Sequence, residues 1–276
     1  MKFKSYGKIN LSLDILNKRE DGYHNIKTIM QKISIYDEMT INKSDKFVLS
    51  SDKKELENKD NLIYKAYKLM CEEFKRDFPI EVYLKKNLPI ASGLAGGSSN
   101  GATTLIAINK IYNLGISREE LSKLSVKLGA DFPFMVNNGT YFCEGIGDRL
   151  SKIKGFSYPI LIVNNGIEIS SKFVYENYKI DSDRVDFNFI IENLENLNSL
   201  RNKLVNKMEK VVFEIHSELK NIKEELKSFN GVSLMSGSGA SIFALFNTEE
   251  ELMNCYNKIK DKYKYVLCGR TLIWYG

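Results

Sequence analysis

The amino-acid sequence predicts an α+β protein that is divided into two domains. The chain has 276 residues, which is long for a single hydrophobic core and ordinary for two. Strand and helix patterns follow one another in the order strand, loop, strand, helix, strand, which differs from the strict alternation of a parallel α/β sheet. The boundary is softly marked near residues 150–165, and we place the domains at residues 1–155 and 156–276.

Strands are predicted where apolar and polar residues alternate. Residues 8–16 alternate cleanly, with isoleucine and leucine on one side and polar residues, including Lys8 and Asn10, on the other. This period of two indicates a half-buried strand. Weaker patterns predict strands at residues 26–36, 38–42, 46–50, 80–84, 140–143, 158–163, 241–246, 264–268 and 270–275.

Helices are predicted from capping residues that precede apolar residues at helical spacing. Asp60 can cap one helix, and the stretch from Ser117 to Glu120 has the pattern of a capping box for another. Gly129 is expected to end that second helix, and Pro133 to prevent it from resuming. The other helical patterns cover residues 102–111, 187–228 and 248–261.

Charge, cysteines and hydropathy limit the partners and the location of the protein. A formal net charge of +5, spread along the chain as lysine, indicates a solvated surface rather than a nucleic-acid-binding face, and it favours anionic substrates. The four cysteines have neither zinc nor disulfide spacing, so we expect a reducing cytoplasm. No apolar run approaches the roughly 18 residues of a membrane span, so no membrane partner is expected.

The most informative segment is a run of small residues between a predicted strand and a predicted helix. Its glycines and serines leave the backbone N–H groups accessible. At a helix N-terminus such groups bind anions, because they are unpaired and lie at the positive end of the helix dipole. The sequence therefore predicts a site for the phosphates of ATP or a similar nucleotide, formed by Pro89, Ile90, Ala91, Ser92, Gly93, Leu94, Ala95, Gly96, Gly97, Ser98 and Ser99.

Several known motifs do not fit this loop. It lacks the GxxxxGK[ST] pattern of a Walker loop and the GxGxxG pattern of a dinucleotide site, and the chain has no protein-kinase signature. Residues 97–101 do match the GxSxG elbow of α/β-hydrolases, with Ser99 as the nucleophile and with Asp131 and His216 following in the required order. That elbow needs a strand leading directly into the serine, whereas small loop residues precede Ser99 here.

Three segments resemble the motifs of the GHMP kinase family, which includes galactokinase, homoserine kinase and mevalonate kinase. The loop at residues 89–99 is similar to the second motif, residues 7–11 (GKINL) to the first, and residues 235–240 (MSGSGA) to the C-terminal glycine motif. The resemblance implies an N-terminal domain like domain 2 of ribosomal protein S5 and a C-terminal ferredoxin-like α/β sandwich. It also implies an active site in the cleft between the domains.

The resemblance assigns roles in phosphoryl transfer from ATP, with Mg²⁺ as the metal. Asp131 would accept the proton of the acceptor hydroxyl, Lys8 would keep Asp131 ionised, and Asn10 would bind the acceptor or orient Lys8. Ser98 or Ser99 would bind phosphate and help to hold Mg²⁺. Asn61 would lie near the nucleotide, and the loop would be supported by Gly237, Ser238 and Gly239.

One segment resembles the members of the family that act on an alcohol carrying a cytidine diphosphate group. Residues 21–24 (DGYH) carry this likeness. It assigns His24 to the edge of the cytosine ring, with Tyr23 packed nearby and Tyr175 stacked on the other side. The alternatives are a GHMP kinase of the homoserine or mevalonate type, and a nucleotide-binding module without turnover.

The chain departs from the family pattern at three places. Gly7 stands where alanine is usual, Tyr6 where proline is usual, and Gly101 where alanine commonly follows the loop. Near the start of a helix, we expect Gly101 to cost about 1 kcal/mol relative to alanine.

Overall fold

The computed structural model describes residues 1–274, and contacts between residues divide the chain into two compact units. Each unit is assembled from segments that are separate in the sequence. Unit 1 comprises residues 1–7, 36–88 and 95–138. Unit 2 comprises residues 8–35, 89–94 and the described part of 139–276.

The first sheet has six strands and is dominated by two long ones. β1 (Lys2–Lys18) pairs with β2 (His24–Lys43). The remaining strands are β3 (Val48–Ser51), β4 (Ile80–Lys85), β5 (Thr140–Glu144) and β6 (Arg149–Ile153). The order is β3-β4-β2-β5-β6, in which β2 pairs with β4 through residues 38–43 and with β5 through residues 28–31.

The two strands predicted at residues 26–36 and 38–42 are one continuous strand, β2. The predicted break falls at Asp37, a charged residue that is followed directly by a second one, Glu38. The carboxylate stays in the strand because it is fully paired inside unit 1: its Oδ1 accepts the N–H groups of Asn87 and Leu88, each at 2.8 Å. A buried charge is tolerated when it is satisfied in this way.

The prediction that β1 is half-buried was wrong, because its polar side is buried too. In unit 2, Lys8 is 4% exposed and Asp14 is 1% exposed. Polar groups on this side of the strand are hydrogen-bonded within the protein, but Asp14 Oδ1 is buried without a hydrogen-bond partner among the described residues. The Ser12 hydroxyl donates to the Val205 carbonyl at 2.6 Å, and Asp14 accepts the N–H of Val185 at 3.1 Å.

The helices of unit 1 are α1 (Leu62–Glu73), α2 (Gly96–Ile111), α3 (Arg118–Ser125) and α4 (Phe132–Val136). Asn61, and not Asp60, caps α1, because its Oδ1 accepts the Ile63 N–H at 2.9 Å. The predicted capping box at the start of α3 is confirmed. The prediction for Pro133 was wrong: it lies in the first turn of α4, where proline loses no hydrogen bond.

Unit 2 contains a second, fully antiparallel sheet covered by helices. Its strands are β7 (Pro159–Asn164), β8 (Val232–Met235), β9 (Ile242–Leu245) and β10 (Tyr265–Arg270), in the order β10-β7-β9-β8. The helices are α5 (Ser171–Asn177), α6 (Phe187–Glu192), α7 (Leu197–Leu200), α8 (Glu209–Ile215), α9 (Ser217–Ser228) and α10 (Glu249–Ile259). The strand predicted at residues 264–268 is confirmed as β10, but the strand predicted at residues 270–275 was wrong: beyond Arg270 the described residues form only an isolated bridge at Thr271, and Tyr275 lies outside the described residues.

The core of unit 2 lies between this sheet and its helices. The buried cluster includes Leu161, Val163, Leu219, Leu226 and Leu252. The mixture of helices with two mainly antiparallel sheets confirms the α+β class. Among the helices of residues 1–274, none has the length and hydropathy needed to cross a bilayer.

The glycine at position 101 has a packing role that the sequence did not reveal. Gly101 is buried in α2, and a Cβ there would lie 2.7 Å from two ring carbons of Phe132 and 3.0 Å from the Leu62 carbonyl oxygen. These contacts are closer than packed atoms allow. These contacts predict that alanine at position 101 is less stable than glycine, which is the opposite of the expectation from helix propensity.

We predict that Gly101→Ala lowers the free energy of unfolding by about 1–3 kcal/mol, because the methyl group overpacks the contact between α2 and Phe132. Helix propensity alone would predict a gain of about 1 kcal/mol. Gly97→Ala is the matched control in the same helix, since its Cβ would meet only Leu62, at 3.4 Å. Denaturant unfolding of both variants gives the test, and a Gly101→Ala protein as stable as the parent would contradict it.

Candidate active site

The predicted site residues fall into two groups, one in each unit. In unit 2 they are Lys8, Asn10, Tyr23, His24, Pro89, Ile90, Ala91, Ser92, Gly93, Leu94, Tyr175, Gly237, Ser238 and Gly239. In unit 1 they are Asn61, Ala95, Gly96, Gly97, Ser98, Ser99 and Asp131.

The predicted phosphate loop has the backbone of an anion-binding turn. Every second residue is left-handed: φ is +48° at Ala91, +78° at Gly93 and +53° at Ala95. Alternating backbone handedness points successive N–H groups into one concavity, which favours anions. The loop leads into α2, which begins at Gly96. The N–H groups of the first turn of a helix have no partner within the helix. Both features support the predicted phosphate site.

In unit 2 the loop packs directly against the C-terminal glycine motif. A Cβ on Gly93 would lie 2.0 Å from the Ser236 carbonyl oxygen, so only glycine fits there. The Ser236 hydroxyl donates to the Gly93 carbonyl at 3.0 Å, and the Ser241 N–H donates to the Ser92 carbonyl at 3.1 Å. Two of the three sequence motifs are therefore in contact.

β1 brings the third motif to the same place. The Lys8 N–H donates to the Leu94 carbonyl at 3.0 Å, and Lys8 Nζ donates to Asn10 Oδ1 at 2.5 Å. The Asn10 N–H donates to Ser236 Oγ at 3.3 Å. A Cβ on Gly237 would lie 3.1 Å from Asn10 Oδ1 and 3.5 Å from Lys8 Nζ, so the glycine turn lies against both side chains.

The orientation of Asn10 is set by a residue that the sequence did not single out. Asn10 Nδ2 donates to Thr28 Oγ1 at 2.9 Å, and Thr28 Oγ1 donates to the Ser12 carbonyl at 2.7 Å. With its amide nitrogen held by Thr28, Asn10 turns its oxygen toward Lys8. Thr28 is an ordinary threonine in a strand, and no motif marks it.

The predicted cytosine-binding residues form a turn and an aromatic pair. Arg19 pairs with Asp21 at 2.8 Å, and Asp21 Oδ1 accepts the Tyr23 N–H at 3.1 Å, which leaves the Tyr23 side chain 60% exposed. The next residue, His24, is 8% exposed and stacks directly on Tyr175, with 5.2 Å between ring centroids and 14° between planes. Two rings this close leave no room for a third between them, since each aromatic layer is about 3.5 Å thick.

The environment of His24 keeps its imidazole neutral. Burial lowers the pKa of His24 from its ordinary value of 6.5, and the nearby Lys18 charge lowers the pKa further. A neutral imidazole has one hydrogen-bond donor and one acceptor, which is the combination needed to read a base edge.

The buried position of Ser99 limits what that residue can do. In unit 1 it is 4% exposed, and its hydroxyl donates to the Tyr6 carbonyl at 2.7 Å and accepts from Ser5 Oγ at 2.8 Å. Its proton is therefore used within the protein. Ser99 also lies inside α2 and does not follow a strand, which excludes the hydrolase elbow. The half-buried Ser98 remains the serine that suits a phosphate or a metal ion.

Asn61 and Asp131 both lie at helix starts in unit 1. Asn61 caps α1 and also donates from Nδ2 to the Leu56 carbonyl at 2.8 Å, so both ends of its amide are used. Asp131 is half-buried and immediately precedes α4, and its carbonyl accepts the Met135 N–H at 3.0 Å. All five residues of α4 are buried, which fixes the backbone on which Asp131 is held.

A buried ion pair supports the start of α2. Lys86 Nζ pairs with the carboxylate of Asp37, and their side chains are 5% and 0% exposed. Asn100 Nδ2 donates to the same carboxylate at 2.9 Å, and a Cβ on Gly96 would lie 2.7 Å from Lys86 Nζ. Sequence reasoning missed this network, because Lys86 is one of many lysines and only the fold brings it to Gly96.

Family models and related sequences identify the family to which the chain belongs. Residues 61–141 match the family model for the N-terminal domain of GHMP kinases, and residues 190–264 match the model for the C-terminal domain. A 4-diphosphocytidyl-2-C-methyl-D-erythritol kinase from Clostridium beijerinckii is 40% identical over 282 residues, covering 99% of this chain and all of that protein. The enzyme of the same name from Clostridium acetobutylicum is 36% identical over 280 residues, with 99% of this chain and 100% of that protein covered.

Solved structures of kinases have the same fold as this chain. A crystal structure of 4-(cytidine 5'-diphospho)-2C-methyl-D-erythritol kinase has a TM-score of 0.86 at 25% identity, covering 98% of this chain and 99% of that one. The mevalonate kinase of Methanococcus jannaschii has a TM-score of 0.74 at 15% identity, with 99% of this chain and 98% of that one covered, and therefore shares the fold. The chain belongs to the GHMP kinase family, within the group of the 4-diphosphocytidyl-2-C-methyl-D-erythritol kinases.

Proposed function

We propose that this chain transfers the γ-phosphoryl group of ATP to the 2-hydroxyl of 4-diphosphocytidyl-2-C-methyl-D-erythritol, a step of non-mevalonate isoprenoid precursor synthesis. The observation that carries the proposal is the packing of Gly93 against Ser236, which holds the predicted phosphate loop beside Lys8. The full-length likeness to kinases of that name supports this acceptor over homoserine or mevalonate.

In the proposed reaction the acceptor hydroxyl oxygen bonds to the γ-phosphorus. The bond between that phosphorus and the β–γ bridging oxygen breaks, and ADP leaves. The carboxylate of Asp131 takes the hydroxyl proton. The ammonium of Lys8, oriented by Asn10 at 2.5 Å, would supply positive charge for this step. The N–H groups of the loop and of the first turn of α2 bind the phosphates.

Mg²⁺ is the metal that we assign to the reaction, where it would neutralise the charge on the phosphates. Among residues 1–274, no cluster of three or more His, Cys, Asp or Glu side chains is arranged to hold a metal ion. Mg²⁺ keeps several waters and binds mainly through substrate phosphates and one or two protein oxygens. Ser98 would supply a hydroxyl oxygen.

The acceptor would be recognised through its cytosine ring. His24 offers the donor and acceptor of a neutral imidazole, and Tyr175 and the exposed Tyr23 offer aromatic faces. Asn61, which caps the start of α1, would lie near the nucleotide. We also assign the protein to the cytoplasm, because its four cysteines are free thiols.

The direct test is incubation of the purified protein with ATP, Mg²⁺ and single acceptors. Phosphorus NMR should show a new phosphate ester and ADP with the cytidylated polyol. Homoserine, mevalonate and the polyol without its cytidine diphosphate group should give little product. ATP binding without turnover of any acceptor would favour a nucleotide-binding module, and preferred turnover of mevalonate or homoserine would reject the assigned acceptor.

We predict that Asp131→Asn lowers kcat by about 10²–10⁴-fold, because the amide cannot take the hydroxyl proton. The amide has nearly the shape of the carboxylate, so thermal unfolding and ATP affinity should change little. Asp45→Asn, at an exposed position of the same unit, is the matched control and should keep full activity. Turnover of Asp131→Asn close to that of the parent enzyme would refute the role.

We predict that Gly93→Ala weakens ATP binding by at least about 100-fold, since a methyl group 2.0 Å from the Ser236 carbonyl must displace the loop. The positive φ of +78° adds strain for any residue with a Cβ. Gly115→Ala is a suitable control, because it also has a positive φ, +70°, but nothing lies within 4 Å of the added atom. Calorimetric titration with ATP should separate the two variants, and equal affinities would contradict the prediction.

We predict that KM for the cytidylated acceptor rises as the pH falls below 6.5, whereas KM for ATP does not follow the same curve. The pKa of His24 is lowered by burial and by Lys18, so its neutral form predominates at neutral pH and is lost only as the pH falls through that lowered value. The unfolded chain takes the proton first, so the free energy of unfolding also decreases on acidification.

The chain contains two histidines, which provides an internal control for this pH dependence. His24→Gln should abolish the pH-dependent rise in KM, and His216→Gln should keep it. A rise that persists in His24→Gln would assign the titration to another group.

A further inference from the structure

One buried side chain outside the predicted site holds the C-terminal glycine motif from behind. Asn206 is 2% exposed, and its Nδ2 donates to the carbonyl of Met235 at 2.8 Å and to that of Gly237 at 2.7 Å. Its Oδ1 accepts the Met208 N–H at 3.0 Å. The side chain therefore donates to the carbonyls on either side of Ser236, at the start of the turn formed by residues 236–239.

Asn206 is itself fixed to the strand that carries Lys8 and Asn10. The Leu13 N–H donates to the Val205 carbonyl at 2.8 Å, and the Lys207 N–H donates to the Leu13 carbonyl at 3.0 Å. These backbone hydrogen bonds, on either side of Asn206, make residues 205–207 a short partner of β1. The amide of Asn206 thus has a defined position relative to the strand.

A second side chain binds the remaining backbone group of Met235. Glu209, at the start of α8, accepts the Met235 N–H at Oε1 over 2.8 Å. Its other oxygen pairs with Lys223 at 2.5 Å, and both side chains are 13% exposed. Met235 is therefore held through its N–H by Glu209 and through its carbonyl by Asn206.

The opposite side of this turn is the side that contacts the phosphate loop. Ser236 donates to the Gly93 carbonyl, and its own carbonyl occupies the space that a Cβ of Gly93 would need. A shift of the turn away from Gly93 would break this hydrogen bond, and a shift toward Gly93 would bring the two backbones into collision. The position of the turn consequently decides the conformation of the loop.

We propose that Asn206 and Glu209 are positioning residues for nucleotide binding, which fix the Ser236–Gly239 turn so that it holds Gly93 in the phosphate-binding conformation. This inference rests on the proposed ATP site and goes beyond it, since neither side chain is assigned to a phosphate, an acceptor or a metal. The affected quantity is the affinity for the nucleotide, because the turn contacts the loop through Gly93.

The test compares nucleotide affinity with stability in four variants. Asn206→Asp keeps the shape and the Oδ1 acceptor but removes both N–H donors and sets a carboxylate against two carbonyl oxygens. Calorimetric titration of Asn206→Asp and Asn206→Ala with ATP should show affinities about 10- to 100-fold weaker than that of the parent. Affinity for cytidine diphosphate should change less than affinity for ATP, because the turn contacts the phosphate loop directly, whereas its hydrogen bond to α5 joins Ser238 to Ser171.

The Glu209 variants separate positioning from stability. Glu209→Gln keeps an oxygen for the Met235 N–H but loses the ion pair with Lys223, so it should unfold at a lower temperature and bind ATP normally. Glu209→Ala loses both interactions and should bind ATP more weakly as well. Parallel losses of ATP affinity in Glu209→Gln and Glu209→Ala would overturn the assignment of Glu209.

A matched control is available in unit 1. Asn109 bridges the carbonyl and the N–H of Ile116, at 2.7 and 3.0 Å, so its amide holds backbone groups as Asn206 does, but these groups do not belong to the turn. Asn109→Ala should lose stability without losing ATP affinity. If Asn206→Asp and Asn109→Ala lower stability equally and both leave ATP affinity within twofold of the parent, the role of Asn206 is refuted.

Ser236→Ala provides a second route if the Asn206 variants do not fold. It removes the hydroxyl that reaches the Gly93 carbonyl and leaves Asn206 and Glu209 in place. ATP affinity should fall in Ser236→Ala, and adding Glu209→Ala should lower it less than the sum of the single effects, since both act through one turn. Full additivity would contradict the proposal. Failure of the wild-type protein to phosphorylate the cytidylated polyol would reject only the acceptor, because these measurements record ATP binding.

Discussion

The contact between Gly93 and the Ser236 carbonyl is the constraint on which the unit 2 part of the site depends. A backbone oxygen occupies the position of the missing Cβ, at 2.0 Å, so the contact exists only with glycine at this position. It joins a segment near residue 90 to one near residue 236, and β1 contacts both through Lys8 and Asn10. Three motifs that are far apart in the sequence are thereby made into one surface.

Burial of polar side chains on β1 is the second condition for this arrangement. A buried lysine or aspartate is unfavourable unless it is hydrogen-bonded, and removal of one partner leaves the other uncompensated. Lys8 and Asn10 meet this condition through neighbours in unit 2, since Asn10 accepts from Lys8 and Thr28 accepts from Asn10, whereas Asp14 Oδ1 has no partner among the described residues. These bonds fix the orientation of the side chains that the proposed chemistry uses. Burying these polar side chains costs desolvation free energy. In return, the proposed site is ordered before the substrate binds.

Much of this arrangement was predictable from the sequence, and the misses have physical reasons. Requirements of the backbone leave direct signals in the sequence: the capping box at Ser117 is confirmed, and the small residues of the predicted phosphate loop include left-handed positions at Ala91, Gly93 and Ala95. Contacts between residues that are far apart in the sequence leave no such local signal. Nothing in the local sequence distinguishes Asn206 from other asparagines of a helix-rich stretch, because its two acceptors are carbonyls near residue 236.

The same distinction explains the errors at single positions. Propensity favours alanine over glycine in a helix, but at Gly101 the ring of Phe132 decides the outcome. The alternation along β1 predicted that one side of the strand faces solvent. The segment at residues 205–207 covers that side near Ser12, and Asp14 is buried as well. Asp37 looked like a strand break and is instead the paired centre of a buried network. In each instance a distant segment overrides the local pattern.

The stacked pair of His24 and Tyr175 bears on how a cytosine ring would enter the proposed acceptor site. At 5.2 Å between centroids, the base cannot lie between the rings without moving Tyr175 or displacing α5, which carries it. An aromatic pair contributes roughly 0.5–1.5 kcal/mol beyond its buried area, whereas stacking of a base on an aromatic side chain contributes roughly 1–3 kcal/mol. In the proposed site, stacking of the base on Tyr175 would therefore offset the loss of the contact between His24 and Tyr175. The base would have to separate the two rings before it could bind between them.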